Sequence, residues 1–600
     1  MKRLLIGVVA LCVMVAFAIM SNALFAKYRH HRRLLKMHAG LPAPLDRRIQ
    51  DPGSLRDVHG KPRSLASLAD DNGLVLVFLG TECPVSALQL NVLLEIEEVF
   101  RRRGLNFVAV FPNEDDTADL IAAYMLDREM PLLACKDLGQ TLTRALGVVQ
   151  TPTACILDRE QVLRYRGRID DSFGGAMLAE GTSRSDLRDA LREVLENKWV
   201  SIAVADGEGR SVKFRSPQAS SMQLTFAADV APLMQRHCQG CHRPGRSAPF
   251  PLLAYEDVRP RVARIAEMVA MRTMPPWNVD DRYGEFANCR RLDDRERETI
   301  LAWIEEGAPR GEKKSAPKPI AWPGRWSIGV PDVVIEVSQP LAVDATGPES
   351  LRSLAVDAGT TNIVFSEDRW VRSAEVLPTN ADVTRRIDVA IFPADDATQP
   401  ARSGKDAGPF AWLPGGPTYR FPEGMGYRVP MHSRLAFEVH HKPNGVATED
   451  RPAIGLLFAK RLPEKELVFL SRNIDERTIP RQDPHHREEF EFSLNGPRRL
   501  VGLMGSMGLR GKAYRVERLE PNGHRETLLR VPRFDVNVQD FYWLASPKDL
   551  GEGSRLVVTG WWDNSQNNLN NPNAKATIKL GPASVHESLS IFLFLEKETP

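Results

Sequence analysis

The run Cys238-Gln-Gly-Cys241-His242 carries the most specific chemistry in this sequence. Two thiols at this spacing can each bond to one vinyl group of a single porphyrin, and the next imidazole then ligates the iron. A zinc knuckle would need two more soft ligands nearby, and this region offers only Cys289. The motif therefore predicts one covalent haem c, with Cys238 and Cys241 as its attachment points and His242 as the proximal iron ligand.

A second axial ligand is expected from methionine, the usual partner of histidine in electron-transfer haems. Met274 is the candidate, because Pro275 and Pro276 would stiffen its loop and Trp277 could pack beside the porphyrin. Met271 is the alternative ligand, and a core position for either methionine is the competing interpretation.

Cys83 is the second reactive candidate. It follows the apolar run Leu74–Leu79, which is typical of a buried strand, and a helical pattern begins directly after it. A thiol at a helix N-terminus has a lowered pKa and is a candidate thiolate nucleophile. Ser86 stands where a C-x-x-C motif would have its resolving cysteine. Cys155 is the weak candidate for that role, although a buried core thiol is its more common interpretation.

The elements around Cys83 follow the strand–cysteine–helix and β-α-β-β-α order of a thioredoxin fold. Residues 45–198 resemble the redoxin branch of that superfamily. The resemblance is based on the motifs Gly80–Pro84, Gln150–Thr153 and Arg164–Asp171. The resemblance implies that Pro152 is a cis-proline facing the reactive cysteine.

The segment that holds the haem motif is predicted to be helical, with helices at Phe226–Met234, Val258–Met271 and Asp293–Glu306. It resembles a cytochrome module of multidomain bacterial proteins. The resemblance is based on the motifs Met274–Trp277, Gly284–Phe286 and Leu301–Pro309. In such proteins the module precedes a copper monooxygenase-like domain.

From Val330 onward, short β-like runs alternate with Gly, Pro and Asn turns, which predicts two all-β sandwiches divided near residues 470–482. This region resembles the ascorbate-dependent type II copper monooxygenases, the peptidylglycine α-hydroxylating class. The resemblance rests on Phe437–Gly445, Met507–Lys512, Val531–Asp535, Asp563–Ser565 and Asn571–Pro572.

The copper ligands implied by this resemblance are largely missing. The positions expected to supply imidazole or thioether hold Arg385–Arg386, Lys442, Ser506–Gly508 and Ser588, and only His440 remains. Arginine is always cationic and cannot ligate copper. His485–His486 lies in a polar segment and is interpreted as solvated. Copper is therefore not expected, and the β region is interpreted as a binding module.

Composition gives little support for other classes of function. With 79 Lys and Arg against 77 Asp and Glu among 600 residues, the balance of charge offers no case for nucleic-acid binding. The apolar run at residues 4–26 is long enough to cross a bilayer, although a cleaved signal peptide stays open. Basic residues follow the run and would favour a cytoplasmic side, although long domains are translocated largely regardless of such charges. Haem c attachment, as a property of that family of proteins, implies the outer face of the bacterial membrane. We therefore expect an exported protein on the periplasmic side, anchored in the inner membrane by residues 4–26.

The sequence thus predicts a multidomain chain with an α/β thioredoxin-like fold, a small all-α cytochrome c domain and tandem all-β sandwiches. The expected blocks, in chain order, are an anchor or signal (1–38), a redoxin domain (39–198), a linker (199–220), a haem domain (221–310), a second linker (311–330) and two β-sandwiches (331–475 and 476–600).

Three functions remain open at this point. The leading one is an exported redox protein that couples a thiol-active redoxin to a haem and meets a redox partner protein or a membrane electron-transfer complex. The alternative is a non-enzymatic electron carrier or assembly subunit. The least favoured is an active copper monooxygenase fed by the haem.

Overall fold

The computed structural model describes residues 45–172, 185–215 and 224–597, apart from residues 247, 323, 357–364, 393–407, 495, 497 and 582–586. The predicted anchor at residues 4–26 lies outside these residues. Among the helices of the described ranges, none has the length and apolar character needed to cross a membrane. The chain divides into two compact units, one of residues 1–116 with 132–217 and the other of residues 117–131 with 218–600.

The first unit is built on a seven-stranded sheet with the order β1-β4-β3-β2-β6-β7-β8 and a separate two-stranded pair, β5-β9. The strands are β1 (Leu55–Asp57), β2 (Leu74–Phe78), β3 (Asn106–Phe111), β4 (Leu133–Asp137), β5 (Gln150–Thr151), β6 (Thr153–Leu157), β7 (Leu163–Gly167), β8 (Val204–Ala205) and β9 (Arg210–Ser211). The five apolar residues of β2 are all buried, as expected for a central strand covered on both faces.

The helices of the described chain are short. They are α1 (Leu65–Leu68), α2 (Pro84–Leu88), α3 (Leu90–Arg101), α4 (Ala118–Asp127), α5 (Thr141–Leu146), α6 (Asp186–Leu195), α7 (Ala231–Leu233), α8 (Tyr255–Val258), α9 (Val262–Ala270) and α10 (Asp294–Glu305). Wider or tighter helical turns lie at Leu138–Gln140, Phe226–Val230, Met234–Cys238, Arg259–Arg261 and Lys313–Ser315. Helix α4, which lies inside the redoxin block predicted at 39–198, is grouped with the second unit.

Residues 199–220 are not simply a linker, contrary to the prediction. Strand β8 pairs in parallel with β7, and β9 pairs antiparallel with β5. Val212, which follows β9, is buried in the apolar cluster of the first unit. Strands of two residues carry no measurable periodicity, which is why the sequence pattern did not reveal them.

The haem-motif segment is helical and has an apolar cluster of its own, which includes Phe226, Met234, Ile300 and Trp303. Its last helix, α10, begins at a capping box in which Asp293 and Glu296 bind each other's backbone amides. The helix predicted at Val258–Met271 is shorter, because the chain makes a tight turn through Pro260 before α9 begins.

From residue 330 onward, the described part of the chain is all-β, as predicted. Its strands are β10 (Val333–Glu336), β11 (Leu341–Val343), β12 (Ser350–Val356), β13 (Arg369–Leu377), β14 (Thr384–Phe392), β15 (Phe410–Trp412), β16 (Tyr419–Arg420), β17 (Met425–Val429), β18 (Arg434–His441), β19 (Thr448–Asp450), β20 (Ala453–Phe458), β21 (Lys465–Asn473), β22 (Arg477–Ile479), β23 (His486–Ser493), β24 (Arg499–Met507), β25 (Gly511–Leu519), β26 (Arg525–Val531), β27 (Tyr542–Asp549), β28 (Arg555–Trp562), β29 (Ile578–Leu580) and β30 (Leu589–Glu596).

The predicted boundary between two sandwiches at residues 475/476 falls inside a shared sheet. That sheet has the order β10-β20-β13-β17-β21-β30-β24-β27, so β21 from the first half pairs directly with β30 from the second. The two halves are therefore joined by backbone hydrogen bonds. Two smaller four-stranded sheets, β12-β18-β14-β15 and β23-β28-β25-β26, accompany it.

Candidate functional site

Cys83 lies where two elements of the first unit meet. Strand β2 pairs antiparallel with β6, with Phe78 opposite Thr153, so the loop after β2 comes beside the residues that precede β6. Cys83 is the N-cap of α2, and Pro84 occupies the first turn, where its missing N–H costs nothing. Its Sγ donates to the backbone carbonyl of Thr151 at 3.0 Å, and the Thr151–Pro152 peptide bond is cis.

Polar groups of three residues act on the pKa of Cys83. Burial acts to raise the pKa of this thiol, yet these groups outweigh it and the net pKa lies below the ordinary value. They are the hydroxyl and amide of Ser86, the hydroxyl of Thr151 and the amide of Arg210. Each stabilises the thiolate over the thiol, so the site favours the nucleophilic form.

Ser86 has gained a role that sequence reasoning missed. Its side chain is buried, and its hydroxyl makes no hydrogen bond to any described residue. The residue at the position of the absent resolving cysteine thus lies close enough to lower the pKa of Cys83. Arg210 was also missed, because it lies in the segment interpreted as a linker.

Replacing Ser86 by alanine is expected to raise the pKa of Cys83, because a donor to the thiolate is lost. The midpoint of the alkylation rate of Cys83 against pH should move upward, as measured by mass spectrometry of the Cys83 peptide. Ser201→Ala, in an exposed turn, is the matched control and should leave the midpoint unchanged. An unmoved midpoint in Ser86→Ala would show that the hydroxyl does not act on the sulfur.

Cys155 lies in the apolar core of the first unit. Its side chain is fully buried in the apolar cluster that also holds Leu76 and Cys135. Burial raises the pKa of Cys155 to about 12, although Arg166 opposes the shift. Cys83 and Cys155 are both free thiols in this structure. A thiol with so high a pKa supplies almost no thiolate at neutral pH, so the structure places Cys155 as a core residue.

The Cys238–His242 motif forms one tight turn at the end of a helical segment. The amides of Cys241 and His242 both donate to the carbonyl of Cys238, at 3.2 and 2.9 Å. The Nδ1 of His242 donates to the carbonyl of Phe250 at 3.0 Å, which leaves Nε2 as the nitrogen for a metal. Burial lowers the pKa of His242, which favours the neutral imidazole that ligates metals.

These residues fit a covalent haem by their chemistry. The two thiols and the imidazole lie on one turn, and the ring orientation of His242 is fixed by a backbone acceptor, as is common for metal-ligating histidines. Met274 follows α9 with 39% of its side chain exposed, so its thioether is not committed to the core, whereas Met271 is 1% exposed.

Trp277 corrects one expectation. It is 3% exposed and belongs to the apolar cluster of the β region. Its ring meets Tyr542 edge-on at 5.2 Å and Phe286 at 6.1 Å between centroids. The structure therefore places Trp277 in the packing between the helical segment and the β sheets, and not as a residue that packs on a porphyrin.

Copper does not fit the residues at the first position implied by the resemblance. Alternation along β14 and β18 puts Arg386 and Asp388 opposite His440 and Glu438. The ligand atoms of Asp388, Glu438 and His440 lie within 4.8 Å of one another. However, the guanidinium of Arg386 binds both oxygens of Asp388, at 2.6 and 2.8 Å, and supplies the positive charge there.

The second implied copper position is also filled. Ser506 is buried and donates to Gln539 at 2.7 Å, and Met507 lies in an apolar cluster. A Cβ on Gly508 would meet the Oε2 of Glu587 at 2.3 Å, so that carboxylate takes the space of a side chain. Glu587 is itself paired with Arg510 at 3.2 Å.

His485 was interpreted as solvated, but it is 10% exposed at its side chain. Its Nε2 lies 2.7 Å from Glu129 and its Nδ1 lies 2.9 Å from the amine of Lys512. Burial, followed by the charge of Lys512, lowers the pKa of His485 to about 4. The imidazole is therefore a neutral bridge between a carboxylate and an ammonium group.

Residues 49–166 match the model of the AhpC/TSA family. Among solved structures, the chain is similar to a hypothetical protein from Sinorhizobium meliloti (27% identity, 29% of this chain and 96% of that chain, TM-score 0.27). It is also similar to an uncharacterised conserved protein from Geobacillus kaustophilus (24%, 29% and 94%, TM-score 0.27). A further match is a secreted Mycobacterium tuberculosis disulfide oxidoreductase homologous to E. coli DsbE (14%, 24% and 92%, TM-score 0.18). No curated protein matches the chain. Residues 49–166 form a thioredoxin-like redoxin domain.

Proposed function

We propose that this chain is an exported redox protein in which a thiol-active redoxin domain is coupled to a covalently bound haem. The observation that carries the proposal is the position of Cys83 at a helix N-terminus beside Thr151 and the cis-proline, where polar groups lower its pKa, in a domain that matches the AhpC/TSA family. Attack on a disulfide requires the thiolate, and a lowered pKa increases the fraction of Cys83 in that form. The domain therefore acts as a thiol-disulfide oxidoreductase with a single reactive cysteine.

The chemistry of one cysteine limits the reaction. Cys83 can attack a disulfide to form a mixed disulfide, while the departing sulfur leaves as a thiolate. Because Ser86 replaces the second cysteine and Cys155 is a core thiol, a thiol from a partner must release the product. This requirement supports a redox partner protein in the proposed function.

The haem part of the proposal is supported by the turn at Cys238–His242. Both thiols are free cysteines, burial favours the neutral imidazole of His242, and its Nδ1 bonds the carbonyl of Phe250, which leaves Nε2 for a metal. A bound haem would supply one-electron transfer, with Met274 as the candidate distal ligand. Residues 4–26 would tether the chain at the periplasmic face of the inner membrane.

The β region is proposed to bind a partner or substrate and not to activate oxygen. The support is that arginines take the charge at the positions where the resemblance would place copper, Arg386 on Asp388 and Arg510 on Glu587. A divalent cation would have to displace a guanidinium at each position.

The test is the pH dependence of Cys83 alkylation in the full-length chain, followed by mass spectrometry. The expected midpoint lies below that of an ordinary thiol, for which the pKa is ~8.5. Cys83→Ser should remove the labelled peptide and abolish mixed-disulfide formation with glutathione disulfide, while Cys135 and Cys155 stay unlabelled in both proteins. A midpoint at or above the ordinary value would contradict the proposal.

That contrary result would favour the second candidate, a non-enzymatic electron carrier or assembly subunit. One observation already points toward it, because Cys83 is only 2% exposed. A scaffold with a buried thiol would give neither a lowered midpoint nor a mixed disulfide.

A further inference from the structure

A short strand of the first unit lies directly beside the reactive cysteine. Strand β9 pairs antiparallel with β5, with Arg210 opposite Thr151 and Ser211 opposite Gln150. Thr151 is the residue before the cis-proline, and its carbonyl accepts from Cys83. We call residues 207–213 the strap.

The strap approaches the cysteine closely enough to cover it. A Cβ on Gly209 would lie 2.0 Å from the carbonyl oxygen of Thr151 and 3.3 Å from Pro152. The amide of Arg210 is among the groups that lower the pKa of Cys83, and the cysteine is 2% exposed. A glycine is therefore required at position 209, because only a residue without a side chain fits this approach.

Both sides of the strap are fixed by the same unit. Arg210 donates to the carbonyl of Glu82 at 3.0 Å and to its carboxylate at 2.9 Å. Beyond β9, the amide of Val212 donates to Val149 at 2.9 Å, and Lys213 pairs with Asp115. The ion pairs of the Arg210 and Lys213 side chains are exposed and weak individually. The strap backbone is also held by side chains, because Gln150 donates to the carbonyl of Gly207 and Lys213 bonds Asn113 and Gln140 through its amide and carbonyl. The strap is thus held in register but is not locked in a core, except at Val212.

We propose that the strap occupies the binding edge for an extended, disulfide-bearing polypeptide, and that it must leave before Cys83 can react. This inference rests on the proposed function. Within the described residues, β5 pairs only with β9. If the strap leaves, the backbone groups of Gln150 and Thr151 become an open strand edge, which is a template for an added strand.

The chemistry of the strap defines the partner. It is extended, it places a glycine against Thr151 and Pro152, and its two cations meet the carboxylates of Glu82 and Asp115. A partner on this edge has a small residue at that point and basic residues beside it. When it binds, the Cys83 thiolate attacks the nearer sulfur of its disulfide, a Cys83–partner disulfide forms, and the other sulfur departs with the electron pair as a thiolate.

The test of the strap is Gly209→Ala in the full-length chain. The new methyl group collides with a backbone carbonyl that cannot rotate away, so the strap is displaced. At a pH where Cys83 is fully ionised, the alkylation rate should rise at least about tenfold, equivalent to about 1.4 kcal/mol of opening free energy. The midpoint of the rate against pH should also move upward, because the amide of Arg210 no longer donates to the sulfur.

Ser211→Ala is the matched control, since Ser211 is an exposed residue of the same strand and should leave the rate unchanged. Cys135 and Cys155 report on folding, because both stay unlabelled only while the core of the first unit remains closed. If Gly209→Ala left the alkylation rate of fully ionised Cys83 unchanged while Cys135 and Cys155 stayed unlabelled, the proposal that the strap covers Cys83 would be wrong. The lowered pKa on which the proposed function depends would not be affected by that result. A fast plateau with an ordinary midpoint already in the wild type would instead overturn the proposed function.

A peptide probe tests the binding edge. The peptide has the sequence of residues 207–213 with Arg210→Cys, carried as a mixed disulfide with thionitrobenzoate, and its control has the same residues in permuted order. In Gly209→Ala, the matched peptide should release thionitrobenzoate several-fold faster than the permuted one. In the wild type, both should react slowly. Equal rates in Gly209→Ala would show that the edge does not recognise an extended chain.

Discussion

Replacing both Cys238 and Cys241 by serine is expected to leave the exported chain with no covalent haem, whereas the wild type should carry one per chain. The thioether bonds need both thiols, and hydroxyl groups do not add to the vinyl groups in their place. The measurement is the haem content of denatured, acid-washed full-length protein, produced in a host that attaches haem c. This effect is all-or-none, which makes it the largest expected for any substitution in the second unit.

Two comparisons make this experiment decisive. Cys289→Ser is the matched control, because Cys289 is exposed and lies outside the motif, and it should retain full haem content. His242→Ala should retain covalent haem but alter its spectrum, since only the axial bond is lost. A wild-type chain that leaves such a host without haem would contradict the interpretation of the motif, whatever the variants do.

The same preparations identify the distal ligand. Met274→Ala should change the spectrum of the bound haem without loss of fold, because its side chain is 39% exposed. Met271→Ala removes a buried side chain and should instead lower stability, by about 2–5 kcal/mol. A spectral change confined to Met271→Ala would reverse the assignment of the two methionines.

The sequence was informative where a feature is local. The apolar run Leu74–Leu79 is uniform enough to predict a buried strand, and the strand covers Leu74–Phe78 of it. Cys83 was placed between a strand and a helix for the same reason. The turn at Cys238 is likewise contained in five consecutive residues.

The sequence failed where pairing is distant along the chain. Nothing in Arg210–Ser211 signals a strand, since its partner lies about sixty residues earlier at Gln150–Thr151. The only available signal was the spacing of Gly207 and Gly209, which is compatible with a close backbone approach. The pairing of β21 with β30 joins residues more than a hundred positions apart, so a division in chain order could not reveal it.

Side-chain roles were lost for a different reason. Trp277 was assigned to a porphyrin because its sequence neighbours are haem-module residues, but its packing partner Tyr542 comes from the β region. Ser86 was interpreted only as the loss of the second cysteine of a C-x-x-C motif. The motif says nothing about what the hydroxyl in its place can do. The electrostatics of a site depend on which groups the fold brings together, and that information is not in the spacing.

Arg510→Ala is expected to destabilise the second unit by about 3–5 kcal/mol, the usual cost of removing one partner from a buried ion pair. Arg510 and Glu587 are 7% and 3% exposed at their side chains, and the arginine also donates to Asn564 at 2.9 Å. Without Arg510, the carboxylate of Glu587 is buried with no counter-charge. The measurement is hydrogen exchange of the amides in β25 and β30, which reports local opening of these strands.

The loss of stability expected in Arg510→Ala depends on pH. Burial raises the pKa of Glu587 above its unfolded value, although Arg510 opposes the shift. A carboxyl group with a raised folded pKa contributes stability below its unfolded pKa and loses it as the pH rises through the folded value. Removing Arg510 raises that pKa further. The penalty of Arg510→Ala should therefore be greatest at neutral pH and shrink as acid protonates Glu587.

Glu587→Gln in the Arg510→Ala background should recover part of the loss at neutral pH and remove its pH dependence, because a neutral amide replaces the unpaired charge. Arg555→Ala is the matched control, since its pair with Glu491 is exposed and worth at most about 1 kcal/mol. A penalty that is equally small for Arg510 and Arg555, or one that does not vary with pH, would mean that Glu587 is protonated in the native chain. In that case the Arg510 side chain would stabilise the fold by packing and hydrogen bonding alone. Its charge would then not be the reason why the second implied copper position cannot hold a metal.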